Sequence, residues 1–133
     1  GPQHPANRLE PNSLHGNQTQ NGLGTATHCV AGTFAARNNI MSENGTLSNV
    51  EQAGGTCAHA YSIVRPGTVP PGPGNSAADP LFEDTATGDL HLRPGSPALG
   101  AADPSSMFSG PAEFDIDGDR RAAPADIGSD EVP

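Results

Sequence analysis

The chain has 133 residues, room for one domain, and only 21 of them are Leu, Ile, Val or Phe against 17 Gly and 14 Pro, which excludes a helical bundle with a broad apolar core. No stretch approaches the ~18 apolar residues of a membrane span, and with Lys absent and Arg120-Arg121 the sole basic pair there is no stripe for nucleic-acid phosphates. The net charge of -9 is lopsided: residues 1–78 hold three acids and three Arg, residues 79–133 twelve acids and three Arg. Such a tail could attract a cation or a basic partner; the plainer reading is a solvated acidic surface.

Residues 1–11 read as an irregular lead-in. Gly1-Pro2 has the form left by tag cleavage, and on that reading the natural protein extends upstream and the lack of a signal segment says nothing about export. From residue 12 a repeat begins. Asn12-Ser13-Leu14-His15-Gly16-Asn17 returns as Asn39-Ile40-Met41-Ser42-Glu43-Asn44 at an offset of 27, and more weakly as Ser62-Ile63-Val64-Arg65-Pro66-Gly67 at a further 23. Short β-prone segments at a period of ~20–30 residues suggest a solenoid, in which each coil pairs with its neighbours ~4.8 Å away. Asn12, Asn39, Asn17 and Asn44 then stack into side-chain ladders, at turns whose left-handed geometry Asn and Gly tolerate. The next strand set is Thr33–Asn38 over Cys57–Ser62, with Phe34 opposite Cys57 and Ile40 opposite Ile63.

Residues 12–78 thus form the coils, with 66–78 a proline- and glycine-rich loop without a core of its own. Residues 79–133 differ. Leu90 and Leu92 alternate with Asp89, His91 and Arg93 as a half-buried strand, and Phe114, Ile116 and Ile127 supply the last apolar contacts. This segment is expected to cap the solenoid's end, where exposed edges invite association. Cys29 and Cys57 favour a disulfide worth roughly 3–4 kcal/mol in the chain-entropy model; two buried thiols are the alternative.

The tail also carries a resemblance. Asp79-Pro80-Leu81-Phe82, Gly88-Asp89-Leu90-His91-Leu92, Gly95-Ser96-Pro97-Ala98, Asp115-Ile116-Asp117-Gly118-Asp119-Arg120 and Asp126-Ile127-Gly128-Ser129-Asp130-Glu131 resemble, in order and spacing, the C-terminal signature of bacterial secreted right-handed parallel β-helix proteins, pectate-lyase-like and of the choice-of-anchor type. The chain departs from it at Gly100, where that signature usually carries Asp. The resemblance implies an all-β fold, a right-handed parallel β-helix with a C-terminal cap; the chain departs here too, being short, with only two to three coils where that family usually has many. It also implies a secreted or cell-surface location, and an open coil face covered by upstream coils, another protein or a second copy.

Glu113, Asp115, Asp117 and Asp119 form the densest carboxylate run. Glu113, Asp115, Asp117 and Gly118 fit positions 1, 3, 5 and 6 of an EF-hand-like loop, but position 12 is Pro124 and no helices flank it, so an EF-hand is excluded. A different Ca2+ site built on these four residues remains a candidate; the alternative is an Asp-Gly turn whose carboxylates cap backbone amides and pair with Arg120 or Arg121. The five histidines are scattered, and none neighbours a nucleophile in a triad-like pattern. Asn17-Gln18-Thr19 and Asn44-Gly45-Thr46 are glycosylation sequons. Polysaccharide cleavage would need a base and paired carboxylates. Lys is missing, the coils offer only Glu43 and Glu51, and Trp is absent as a sugar platform. The expected function is therefore a non-catalytic capping and docking module of an exported parallel β-helix protein. Two alternatives stand beside it: the end of a carbohydrate-active enzyme whose catalytic coils lie upstream, and an adhesin or assembly module pairing through an open edge.

Overall fold

The structure, a computed structural model, describes residues 8–17, 26–44, 50–52 and 54–133. The start of the lead-in and the Gln18-Thr19 and Gly45-Thr46 portions of the sequons lie outside the described residues. The fold is all-β, with one short 3-10 turn at Gly110–Glu113. Among the described residues no helix is long and apolar enough to cross a membrane.

Eight short strands fall into three narrow parallel sheets. The first contains β1 (Arg8–Leu9), β4 (Gly32–Arg37) and β7 (Gly55–Ala60); the second β2 (Ser13–His15), β5 (Ile40–Ser42) and β8 (Ile63–Arg65); the third β3 (Thr27–Cys29) and β6 (Val50–Gln52). The chain visits the sheets in the same order each time. Phe34 pairs with Cys57, Leu14 with Met41 and Ile40 with Ile63, the register read from the sequence.

The corners explain why the turns superpose. Asn38 and Tyr61 both occupy the left-handed region, at φ 59° and 47°, between the first-sheet and second-sheet strands of successive turns. Asn39 and Ser62, one residue on, are fully buried. Asn12 Nδ2 donates to Asn39 Oδ1 (3.2 Å), Asn39 Nδ2 to the Leu9 carbonyl (2.6 Å), and the Asn39 amide to Ser62 Oγ (3.2 Å). In a second column, Asn17 donates through its amide and its Nδ2 to Asn44 Oδ1, and Asn44 Nδ2 donates to the Leu14 carbonyl. Each Asn thereby satisfies backbone groups that a corner would otherwise leave orphaned. The Cys29–Cys57 disulfide joins β3 to β7 across a sequence separation of 28.

The second sheet is buried on both faces at its central strand β5 and half-buried along β2. Leu14, Met41 and Val64 alternate with Ser13, Ile40 and Ile63. On one of its faces Ile40 and Ile63 join Phe82, Leu92, Ala98, Ala102, Ala125 and Ile127 in the main core cluster. The C-terminal segment contributes β9 (Phe82–Asp84) and β10 (Asp89–Leu92), an antiparallel hairpin with Leu92 opposite Phe82. Leu92 is buried and Leu90 half-buried, as the alternation predicts. Phe114 and Ile116, expected in the core, are instead about half exposed; only Ile127 of that trio is buried.

This segment meets all three strands of the second sheet. The Ser129 amide donates to Ser13 Oγ on β2, the His15 ring meets Phe82 edge-on, and Arg65 on β8 pairs with Asp79. Gly128 lies so close that a Cβ there would sit 2.8 Å from both Ile40 Cδ1 and Ser13 Oγ. The β7–β8 edge is closed by the proline-rich loop. Tyr61 N–H donates to the Pro73 carbonyl (2.7 Å), Ser62 N–H to Asn75 Oδ1 (3.0 Å) and Val64 N–H to the Ser76 carbonyl (2.8 Å), while Asn75 Nδ2 donates to the His59 carbonyl (2.9 Å). Asn75 therefore continues the Asn12–Asn39–Ser62 column. Prolines lack the N–H needed to recruit a further strand, so a loop that looks unstructured by composition is well suited to end a sheet.

Candidate functional site

The acidic segment is held together by its own carboxylates. With little regular structure after β10, its backbone amides need other acceptors. Eight of the twelve acids in 79–133 accept at least one backbone N–H: Asp79, Asp84, Asp89, Asp103, Asp115, Asp126, Asp130 and Glu131. Asp126 is the clearest case. It is buried, its Oδ1 receives the Gly100 amide (2.6 Å) and its Oδ2 the Val132 amide (2.8 Å).

The four residues proposed from sequence as a metal cluster separate in space and role. Asp115 is a turn cap: its Oδ1 accepts from the Asp117 and Asp119 amides (2.9 and 2.8 Å) and its Oδ2 from the Glu131 amide (3.2 Å). Glu113 pairs with Arg120. Asp119 contributes its backbone to the Asp115 turn. Among the described residues, Asp117 is the one of the four that reaches a group of converging donors, a mixed nitrogen and oxygen set with His91 and Asp130 in which one ligand atom from each lies within 4.8 Å of the others. Calcium prefers six to eight oxygens, and three of the four expected carboxylates do not contribute to this group.

Each member is placed by a different element. His91 sits on β10, two residues after Asp89, so both side chains project from the same side of the strand. Asp89 Oδ1 lies 2.5 Å from His91 Nδ1 and also accepts the His91 amide (3.1 Å). Asp117 is delivered by the Asp115–Asp119 turn, where Gly118 adopts φ 88°, and its Oδ2 lies 3.1 Å from His91 Nε2. Asp130, 5% exposed, is fixed by the Leu92 amide on its Oδ2 (2.7 Å). The hydrogen bonds from Asp89 and then Asp117 raise the His91 pKa from its ordinary value to about 9, and the His91 contact in turn lowers that of Asp89. An outward histidine on a strand reads as surface; the Asp-x-His spacing was the available signal that it had a partner.

Behind this group Arg121 is nearly enclosed. Its guanidinium donates to the Gly128 and Ser129 carbonyls at 2.9 Å, faces Glu131 at 3.4 Å and lies 5.4 Å from the Phe108 ring centroid. Burial pushes the Arg121 pKa down and the Glu131 pKa up. The coil arginines are engaged too: Arg37 with Asp103 (2.9 Å), Arg65 with Asp79 (3.2 Å) and Glu43 (3.6 Å). Arg65, Glu43, Asp79, His15 and Arg93 line a polar cleft of about 330 Å3 between the second sheet and the hairpin.

Asn38, not singled out from the sequence, joins the two regions. Its Oδ1 accepts the Asp103 amide (2.7 Å), its Nδ2 donates to Ser106 Oγ (2.8 Å) and its carbonyl accepts the Gly128 amide (2.9 Å). The readable signal was the Asn38-Asn39 pair, in which the first residue turns the corner and the second enters the ladder. No known family, characterised protein or solved structure matches the chain.

Proposed function

We propose that the chain is the C-terminal end of an exported or cell-surface right-handed parallel β-helix protein, and that its role there is structural. It carries the last turns, ends the stack with a proline-rich loop and seals one side with an acidic cover. The observation that carries this reading is the column Asn12, Asn39, Ser62 and Asn75, in which like positions of successive turns hydrogen-bond one above another. The disulfide supports an oxidising compartment. The arrangement of charges supports a non-catalytic role, because the coil arginines and the Glu43 carboxylate serve one another and the cover.

The partner fits the other edge. Asn12 and Gly16 bond inward to β5, so the alternate residues Ser13 and His15 turn their backbone groups away from it, toward a position that no strand occupies among the described residues. Upstream turns, or a second copy of the chain, would add there by β-augmentation. Light scattering over a concentration series tests this. Reversible self-association is expected, and His15→Pro, which removes an outward N–H, weakens it while circular dichroism shows the variant folded. A chain that stays monomeric throughout sinks the docking role, and turnover of pectate or alginate sinks the non-catalytic one.

A further inference from the structure

Asp89 Oδ1, an acceptor, pairs with His91 Nδ1 as the donor. On the other side of the ring Nε2 faces Asp117 Oδ2 at 3.1 Å. The position between Nε2 and Oδ2 takes either a second proton or a metal ion. A second proton satisfies the pair alone. A metal ion satisfies it together with the third donor, the buried Asp130 carboxylate, whose Oδ2 is already oriented by the Leu92 amide.

The dimensions suit a small ion. Two ligands bonded at about 2.0–2.2 Å to a tetrahedral ion are about 3.3–3.5 Å apart, and Nε2 and Oδ2 need move only slightly to reach that spacing. The Asp89–His91 contact is the carboxylate–imidazole pairing that orients metal-binding histidines and strengthens them as ligands. One imidazole and two carboxylates suit zinc and its neighbours better than calcium or magnesium, which select oxygen. The exposure of His91 and Asp117 leaves a side open for a further ligand, a water or a group from outside the chain.

We propose that His91 Nε2, Asp117 and Asp130 form a zinc-type divalent metal site, with Asp89 as a positioning residue. The three ligands come from β10, the Asp115–Asp119 turn and the C-terminal tail. The ion would staple three parts of the cover that already hydrogen-bond to one another. This function is separate from the edge-docking role, since the site lies within the cover and involves neither β1 nor β2.

The test uses the full chain after chelator treatment and dialysis, titrated calorimetrically with zinc chloride, calcium chloride and cobalt chloride in turn. One zinc per chain is expected, with a rise in melting temperature, and cobalt gives the visible absorption of a low-coordinate site. Asp117→Asn, an exposed substitution, abolishes saturable binding and leaves the melting temperature of the metal-free protein unchanged. Asp119→Asn, a nearby carboxylate outside the group, binds as the parent does. Asp89→Asn weakens zinc about 10–100-fold and displaces the cobalt absorption bands, which a merely structural role would not do. Absence of zinc binding, equal loss in Asp117→Asn and Asp119→Asn, or preference for calcium overturns the proposal; the first outcome assigns the His91–Asp117 contact to a proton.

Discussion

The parallel sheets built from β1 to β8 and the cover of residues 79–133 solve one problem by opposite means. Both are poor in large apolar residues, and both must give every buried amide a partner. The stack does so by repetition: strands pair in parallel, and neutral Asn side chains, which both donate and accept, link equivalent corners. The cover has one hairpin and little repetition, and it uses carboxylates, which only accept, to hold amides both two residues on, as at Asp79, Asp84 and Asp115, and far along the chain, as at Asp126 and Asp130. Part of the lopsided charge is therefore internal scaffolding: Asp103, Asp126, Asp130 and Glu131 are buried, while Asp79, Glu83, Asp84, Asp117 and Asp119 are exposed.

The comparison breaks most severely where the two regions share atoms. Ile40 belongs to the stack by register and to the cover by contact. Ile40→Ala is expected to cost about 3–5 kcal/mol, seen as a lower urea midpoint. If one transition remains, the regions fold as a unit; two transitions would show that the cover detaches first. Reducing the Cys29–Cys57 disulfide comes next, at about 3–4 kcal/mol. Its effect should be confined to the stack, with amide exchange accelerating in β4 and β7 before β9 and β10. A reciprocal pair sharpens the chemical contrast. Asp126→Asn keeps the shape but leaves one acceptor oxygen for two amides, so one bond is lost to a donor–donor clash and the other loses its charge, an expected loss of at least about 2 kcal/mol, with faster exchange at the Gly100 and Val132 amides. Asn39→Asp removes the donor to the Leu9 carbonyl and buries a charge, and should cost at least as much; if the two residues tolerate exchange without loss, the distinction between neutral and anionic scaffolding fails.

The stack was more legible than the cover because repetition is visible in one dimension. Pairing Asn12 with Asn39, or Phe34 with Cys57, needs only an offset, and a parallel ladder converts that offset directly into register. The cover offers no period. Which amide Asp126 or Asp130 accepts depends on where the chain returns after loops, and residue type alone does not encode that. The same reason hid the His91–Asp117–Asp130 group, whose members are 13 and 26 residues apart along the chain. The run Glu113–Asp119 drew attention because it is dense in sequence, yet local density favours turn capping, as Asp115 shows. The prolines of loop 66–78 disfavour a central strand and are well suited to end one.

The smallest expected effect concerns the stack alone and is a pH dependence. His59 on β7 is 3% exposed, and neither ring nitrogen has a hydrogen-bond partner in the structure. Burial lowers its pKa from the ordinary 6.5, so in the folded protein it stays neutral where the unfolded chain would take up a proton. The unfolded state then binds more protons below pH 6.5, and stability falls as pH drops through that value toward the folded pKa. One group contributes a slope of at most about 1.4 kcal/mol per pH unit. Because the raised pKa of His91 contributes a slope of the opposite sign above pH 6.5, the fall is read as a difference: thermal melts from pH 6.5 to 5 should show the parent losing stability relative to His59→Leu, which fills the same apolar interior without titrating and leaves the cover's hydrogen bonds in place. An equally steep fall in His59→Leu would move the acid sensitivity into the carboxylate cover, and the neutral stack would then be the acid-resistant half of the molecule.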